Sequence, residues 1–214
     1  MALSSLLDRF NEPETLKMAR LGRELKAKGF DIVDLSLGEP DFNTPEHIKE
    51  AAKKAVDENW SHYTPVSGYS DLREAICHKF QRDNNLSYNP ENIVVSTGAK
   101  HSLANVILSL VEAGEEVIIP TPFWVTYAAL VQLAIGKVKL IKTTLEHRYK
   151  ITAEELESHI TPNTKLFIFS SPCNPSGAVY TKEELEKLAE VFIRNPHVYV
   201  ISDEIYEYIN YSGK

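Results

Sequence analysis

Residues 164–206, TKLFIFSSPCNPSGAVYTKEELEKLAEVFIRNPHVYVISDEIY, contain a strand, a helix and a second strand. The run TKLFIFS is apolar through its middle, as in a strand covered on both faces. Thr181 and Glu184 stand three apart ahead of Leu185, Leu188 and Phe192, which share one side of a helix. That spacing is a capping box opening an amphipathic helix. Residues 197–202, HVYVIS, make the next buried strand and run directly into Asp203. Two buried strands joined through a helix pair in parallel.

The same alternation reaches back to about residue 90. Residues 92–97 (NIVVST) read as a strand, and 100–111 as a helix with Leu103, Val106, Ile107 and Leu110 on one face. Residues 117–120 and 137–141 read as strands flanking a helix over 125–135, and Thr152 with Glu155 forms a second capping box. The expected fold is α/β, a mostly parallel sheet with helices on both faces. In such sheets ligands collect beyond the carboxyl ends of the strands. The first ninety residues differ: helical over 14–28, extended over 32–37, turn-rich over 38–45 (GEPDFNTP), then helices over 46–58 and 71–84. Residues 1–45 read as an arm, and no internal repeat or low-complexity linker occurs.

Composition bounds the function. The 214 residues are 43% hydrophobic and 25% charged, and 23 basic against 30 acidic side chains leave a net charge of −7. This is a globular composition, and its sign argues against a nucleic-acid partner held through phosphates. Cys77 and Cys173 are too few and too far apart for a disulfide framework or a CxxC metal site. No apolar run approaches the roughly 20 residues of a membrane span, and the start MALSSLLDR meets charge before an apolar signal core can form. A cytoplasmic protein with no metal is expected.

The unusual residues lie in loops after strands. Residues 96–101, STGAKH, join a strand to a helix start, where Gly98 lets a ligand approach and the free amides of the first turn suit a phosphate; plain turn chemistry is the alternative. There is no GxxxxGK[ST] and no GxGxxG. Residues 120–127, PTPFWVTY, place Trp124 past a strand end, to lie on a flat ring or to fill core. In residues 170–177, SSPCNPSG, two prolines flank the chain around Asn174, to aim its amide or to make an ordinary Asn-Pro turn. Asp203 ends a buried strand, costly unless it meets a cation, and Tyr206 follows three residues later. A Mg²⁺ aspartate of a P-loop ATPase is rejected, since nothing would hold the nucleotide.

Six stretches in one order resemble the fold-type I, class I aminotransferases that use pyridoxal 5′-phosphate, the bacterial-type aspartate aminotransferases above all: SLGEPDFNTPEHIKEA, HYTPVSGYSDLREAI, STGAKHSL, PTPFWVTY, SPCNPSGAVY and ISDEIYE. The resemblance implies a large domain of the pyridoxal phosphate transferase type, with 1–45 as arm and start of the small domain and 46–214 as the first part of the large domain. It implies that Asp203 pairs with the pyridine nitrogen, that Tyr206 and Asn174 hydrogen-bond the ring's phenolic oxygen, and that Trp124 stacks on the ring. Gly98, Ala99 and Lys100 would receive the phosphate. Tyr63 would reach the phosphate of a second subunit's cofactor, which implies a homodimer with shared sites. Gly38, Lys100, Trp124 and Asn174 would border the substrate, Lys100 meeting a distal carboxylate or remaining a solvated helix-start lysine. His101, Cys77 and Cys173 read as structural.

The resemblance also points outside the sequence. Its Schiff-base lysine, in a Ser-x-Ser-Lys-like segment followed by a phosphate-binding arginine, falls a few tens of residues after the Asp-x-x-Tyr pair. Lys214, eleven residues past Asp203, is too close and lacks that context. The arginine for the substrate α-carboxylate is missing too. The expectation is therefore an incomplete large domain, inactive alone and prone to aggregate, from a longer enzyme that exchanges amino groups between an amino acid, aspartate foremost, and 2-oxoglutarate. An aromatic or prephenate aminotransferase, a β-lyase, and a catalytically dead dimerising partner are the alternatives.

Overall fold

A computed structural model describes residues 14–35, 38–40, 42–209 and 211. Residues 1–13 of the expected arm, parts of the 32–37 and 38–45 segments, and Lys214 lie outside the described residues. The chain divides into two compact units, one ending at Val95 and one running on from Ser96.

The earlier unit contains α1 (Glu14–Ala27), α2 (Glu46–Asp57) and α3 (Ser70–Asn84). Cys77 is the buried residue of α3, whereas α2 buries none. Arg73 ties α3 to the following segment by donating from Nη1 to the Pro90 carbonyl at 3.0 Å. The turn at Gly68 approaches the chain at Val95 closely: φ is +97°, and an added Cβ would stand 2.7 Å from Val95 Cγ2.

The later unit is the α/β part, in the order α4 (Ala99–Leu110), β1 (Glu116–Pro120), α5 (Thr126–Leu133), β2 (Lys137–Ile141), α6 (Ala153–His159), β3 (Thr164–Ser170), α7 (Lys182–Arg194) and β4 (Tyr199–Asp203). The four strands form one sheet in the order β2-β1-β3-β4, and every pairing is parallel. Alternation along the strands sorts side chains between two cores. Val117 and Ile119 of β1 and Leu166 and Ile168 of β3 pack with Leu103 and Ile107 of α4 and Tyr127 and Val131 of α5. On the opposite face Ile118 and Phe167 meet Leu156 of α6 and Leu188 and Val191 of α7. Helices thus cover both faces of a parallel sheet.

Both capping boxes form. Thr152 Oγ1 accepts from the Glu155 amide and Thr181 Oγ1 from that of Glu184, and each glutamate carboxylate accepts in return from the threonine amide. Four expectations need correction. Residues 92–97 are not a strand: Val95 N–H reaches the Ser67 carbonyl, but among the described residues no neighbouring strand supplies a ladder. The helix expected over 125–135 stops at Leu133, because Ile135 turns to φ +63° and the Gly136 amide closes back on the Val131 carbonyl. The last strand starts at Tyr199 rather than His197, takes in Asp203 opposite Ser170 of β3, and is not buried: it is the outer strand of the sheet, with Tyr199 and Val200 exposed. Among the described residues no helix is long and apolar enough to cross a membrane.

Candidate active site

Because the sheet is parallel, the loops after β1, β3 and β4 leave it at one edge, the edge where such sheets hold ligands. Asp203 is the last residue of β4 and is partly buried. Its carboxylate does not stand alone. Tyr127, in the first turn of α5, donates its hydroxyl to Asp203 Oδ2 at 2.6 Å, and the Ile205 amide donates to Oδ1 at 3.3 Å. Tyr127 is 2% exposed. Burial, with the carboxylate beside it, drives its phenol far above the ordinary value, so the hydroxyl stays a donor.

Trp124 stands just ahead of α5, with its indole edge-on to Tyr127 at a centroid distance of 5.7 Å and an interplanar angle of 86°. Lys100, in the first turn of α4, sets its Nζ 5.2 Å from the indole centroid. The helix start at residues 98–100 therefore meets the loop after β1, and Asp203 joins that group through Tyr127. Gly98 is the N-cap of α4 at φ +83° and ψ 161°, without a side-chain cap. A Cβ there would meet nothing within 4 Å, so the space beside it is open. The amides of Ala99 and Lys100 belong to the first helical turn, whose N–H groups have no partner inside the helix. Ahead of this turn His101 Nδ1 accepts from the Thr97 amide at 3.2 Å.

The loop after β3 carries the second cluster. The Ser171–Pro172 and Asn174–Pro175 peptides are cis, and the Gly177 amide returns to the Cys173 carbonyl at 2.7 Å. This turn presents Asn174 Nδ2 to the Tyr206 hydroxyl oxygen at 3.2 Å. Both side chains line a cavity of about 410 Å³ whose other walls include Cys173, Pro175 and Ile209. Tyr206 accepts from Asn174, which leaves its own proton free to be donated elsewhere.

Lys100, Trp124 and Asp203 are thus brought together, as are Asn174 and Tyr206, and the two groups share the segment 203–206. Gly38 and Tyr63 belong to the earlier unit; Gly38 has open space about it and Tyr63 is fully exposed. Tyr127 is the contact of Asp203 and Trp124 that sequence reasoning missed. Its signal is an aromatic with a polar tip one turn beyond Trp124, on the core side of a helix. Among the described residues no group of three or more His, Cys, Asp or Glu converges as metal ligands do.

An anchored carboxylate, a flat aromatic face, a phenol with a free proton and open helix-start amides are a donor set that fits a flat, cationic heteroaromatic ring bearing a phosphate. Pyridoxal phosphate has that chemistry.

The family model for aminotransferases of class I and II matches residues 31–214. A probable aspartate/prephenate aminotransferase of Rhizobium leguminosarum bv. phaseoli is 46% identical over 98% of this chain and 52% of its own length. The aspartate aminotransferase of Bacillus subtilis (strain 168) is 42% identical over 100% of this chain and 54% of its own. Among solved structures, the aspartate aminotransferase of Thermus thermophilus with maleate superimposes with a TM-score of 0.96 at 40% identity, covering 100% of this chain and 56% of that one. The chain spans about half the length of the curated relatives it matches.

Proposed function

The chain belongs to the aminotransferases of class I and II, and from that premise we propose that it is the N-terminal part of a pyridoxal phosphate enzyme. That enzyme would move an amino group between an amino acid, aspartate foremost, and a 2-oxo acid such as 2-oxoglutarate. The observation that carries this is Asp203, a carboxylate fixed by two donors at the end of β4.

When bound, pyridoxal phosphate supplies a protonated ring that takes up the electron pair left as a substrate Cα–H bond breaks. The residues of this chain hold and tune that ring. Asp203 would pair with the protonated ring nitrogen, and Trp124 would offer its face to the ring. Tyr206, polarised by the Asn174 amide, donates toward the ring's phenolic oxygen. Gly98, Ala99 and Lys100 receive the phosphate at the start of α4. Lys100, held over the indole, reaches the distal carboxylate of an acidic substrate, and Gly38 borders the substrate on its α-carboxylate side. Tyr63, fully exposed, serves the phosphate site of a second copy in a homodimer.

The covalently linking lysine and the arginine for the α-carboxylate are assigned beyond Lys214, to the half of the relatives' length that this chain does not span. On this reading 1–45 contribute the arm and the start of the small domain, 46–214 begin the large domain, and residues 1–214 alone do not transaminate. Both cysteines are free, in keeping with a cytoplasmic setting.

Steady-state kinetics of the full-length protein with aspartate and 2-oxoglutarate test the proposal. Parallel double-reciprocal lines are expected of a two-stage transfer; intersecting lines, or a protein without the visible absorption of bound pyridoxal phosphate, overturn it. Prephenate belongs in the same assay as an amino acceptor, because relatives at 46% identity carry that substrate in their names.

A further inference from the structure

Tyr127 has no part in the roles drawn above, yet its position is demanding. It is an almost inaccessible phenol in the core between α4, α5 and the sheet. Its hydroxyl spans 76 residues of sequence to reach Asp203 Oδ2 at 2.6 Å. The other carboxylate oxygen has the longer 3.3 Å bond from the Ile205 amide. The same ring receives the edge of Trp124. One buried side chain therefore sets both the carboxylate and the indole, and the packed core sets that side chain.

We propose that Tyr127 is a positioning residue that fixes the Asp203 carboxylate in the orientation that pairs with a protonated ring nitrogen. A donor to Oδ2 holds the carboxylate in one rotamer, so that Asp203 faces the ring proton as a fixed hydrogen-bond partner. Without that donor, Oδ2 is left in a partly buried place with a bond unmade, and the carboxylate turns away to find water. Trp124 loses nothing directly, since its contact is with the ring and not with the hydroxyl.

The inference rests on the cofactor reading given under Proposed function, and a double-mutant cycle in the full-length protein separates the two. The probe is pyridoxamine 5′-phosphate, whose binding needs no covalent link and is read by tryptophan fluorescence. Tyr127→Phe keeps the ring and is expected to weaken binding about tenfold, to shift the pH titration of the bound cofactor's visible band, and to lower kcat while leaving KM for the amino acid nearly unchanged. In an Asp203→Ala background the same change is expected to have no further effect, because the acceptor of its hydrogen bond is gone. A weakening of equal size in both backgrounds, or wild-type affinity in Tyr127→Phe, overturns the inference alone. Failure of the unmutated protein to bind the probe overturns the cofactor reading and the inference with it. Should Tyr127→Phe not fold, fluorotyrosine at position 127 preserves shape and donor while raising the acidity of the hydroxyl. A displaced band titration is then expected, and an unmoved one refutes the role.

Discussion

Asp203 shows how a costly residue becomes affordable by local means: partial burial penalises a carboxylate, and two donors offset that penalty before any ligand arrives. Gly98 shows the opposite economy, a residue chosen for what it lacks. Its φ of +83° with ψ of 161° lies where only glycine is at ease. An added Cβ would strike nothing, so Gly98→Ala carries backbone strain without a clash. Denaturant unfolding should show a loss of about 1–2 kcal/mol. Pyridoxal 5′-phosphate should bind the variant more weakly than the original protein, whereas pyridoxal, which lacks the phosphate, should bind the two alike. Equal weakening of both ligands would remove the helix start from the phosphate site.

Elements were legible where their cause is local. TKLFIFS and the two capping boxes carry their own periodicity and hydrogen bonds, and the structure matches them within a residue or two. NIVVST has the same apolar character, but a strand exists only through a neighbour, and sequence periodicity does not name the neighbour. The loops after strands were located because glycine, proline and a strand-ending aspartate mark them. The Tyr127 bond was not, since no local pattern reports a partner 76 residues away. Lys150 is a similar long-range tie. Its Nζ meets both oxygens of Glu184 at 2.5 and 2.6 Å, linking the segment before α6 to the first turn of α7. Burial of Glu184 opposes its ionisation, but the bonds from Lys150 and the Thr181 amide outweigh it and hold the carboxyl below its ordinary 4.5. A lowered folded value means the contribution is complete above about pH 4.5 and fades as pH falls through that lowered value. Lys150→Met should therefore cost about 1 kcal/mol at neutral pH and flatten the acid limb of stability against pH, measured by thermal unfolding between pH 3 and 7.

At the scale of the molecule, apolar surface stays open in both units. Tyr199 and Val200 of β4 are 54% and 44% exposed, and Ile48 and Val56 of α2 are exposed as well. Residues 1–214 produced alone should bind a hydrophobic dye and self-associate. A monodisperse monomer with a sharp unfolding transition would refute this. The strand order β2-β1-β3-β4 carries a consequence for biogenesis. β2 joins one side of β1, β3 joins the other, and β4 joins the outer side of β3. No strand has to be threaded between two that are already paired. As the ribosome delivers the chain, each new strand meets a finished template at an open margin, so the sheet can grow in the order in which it is translated.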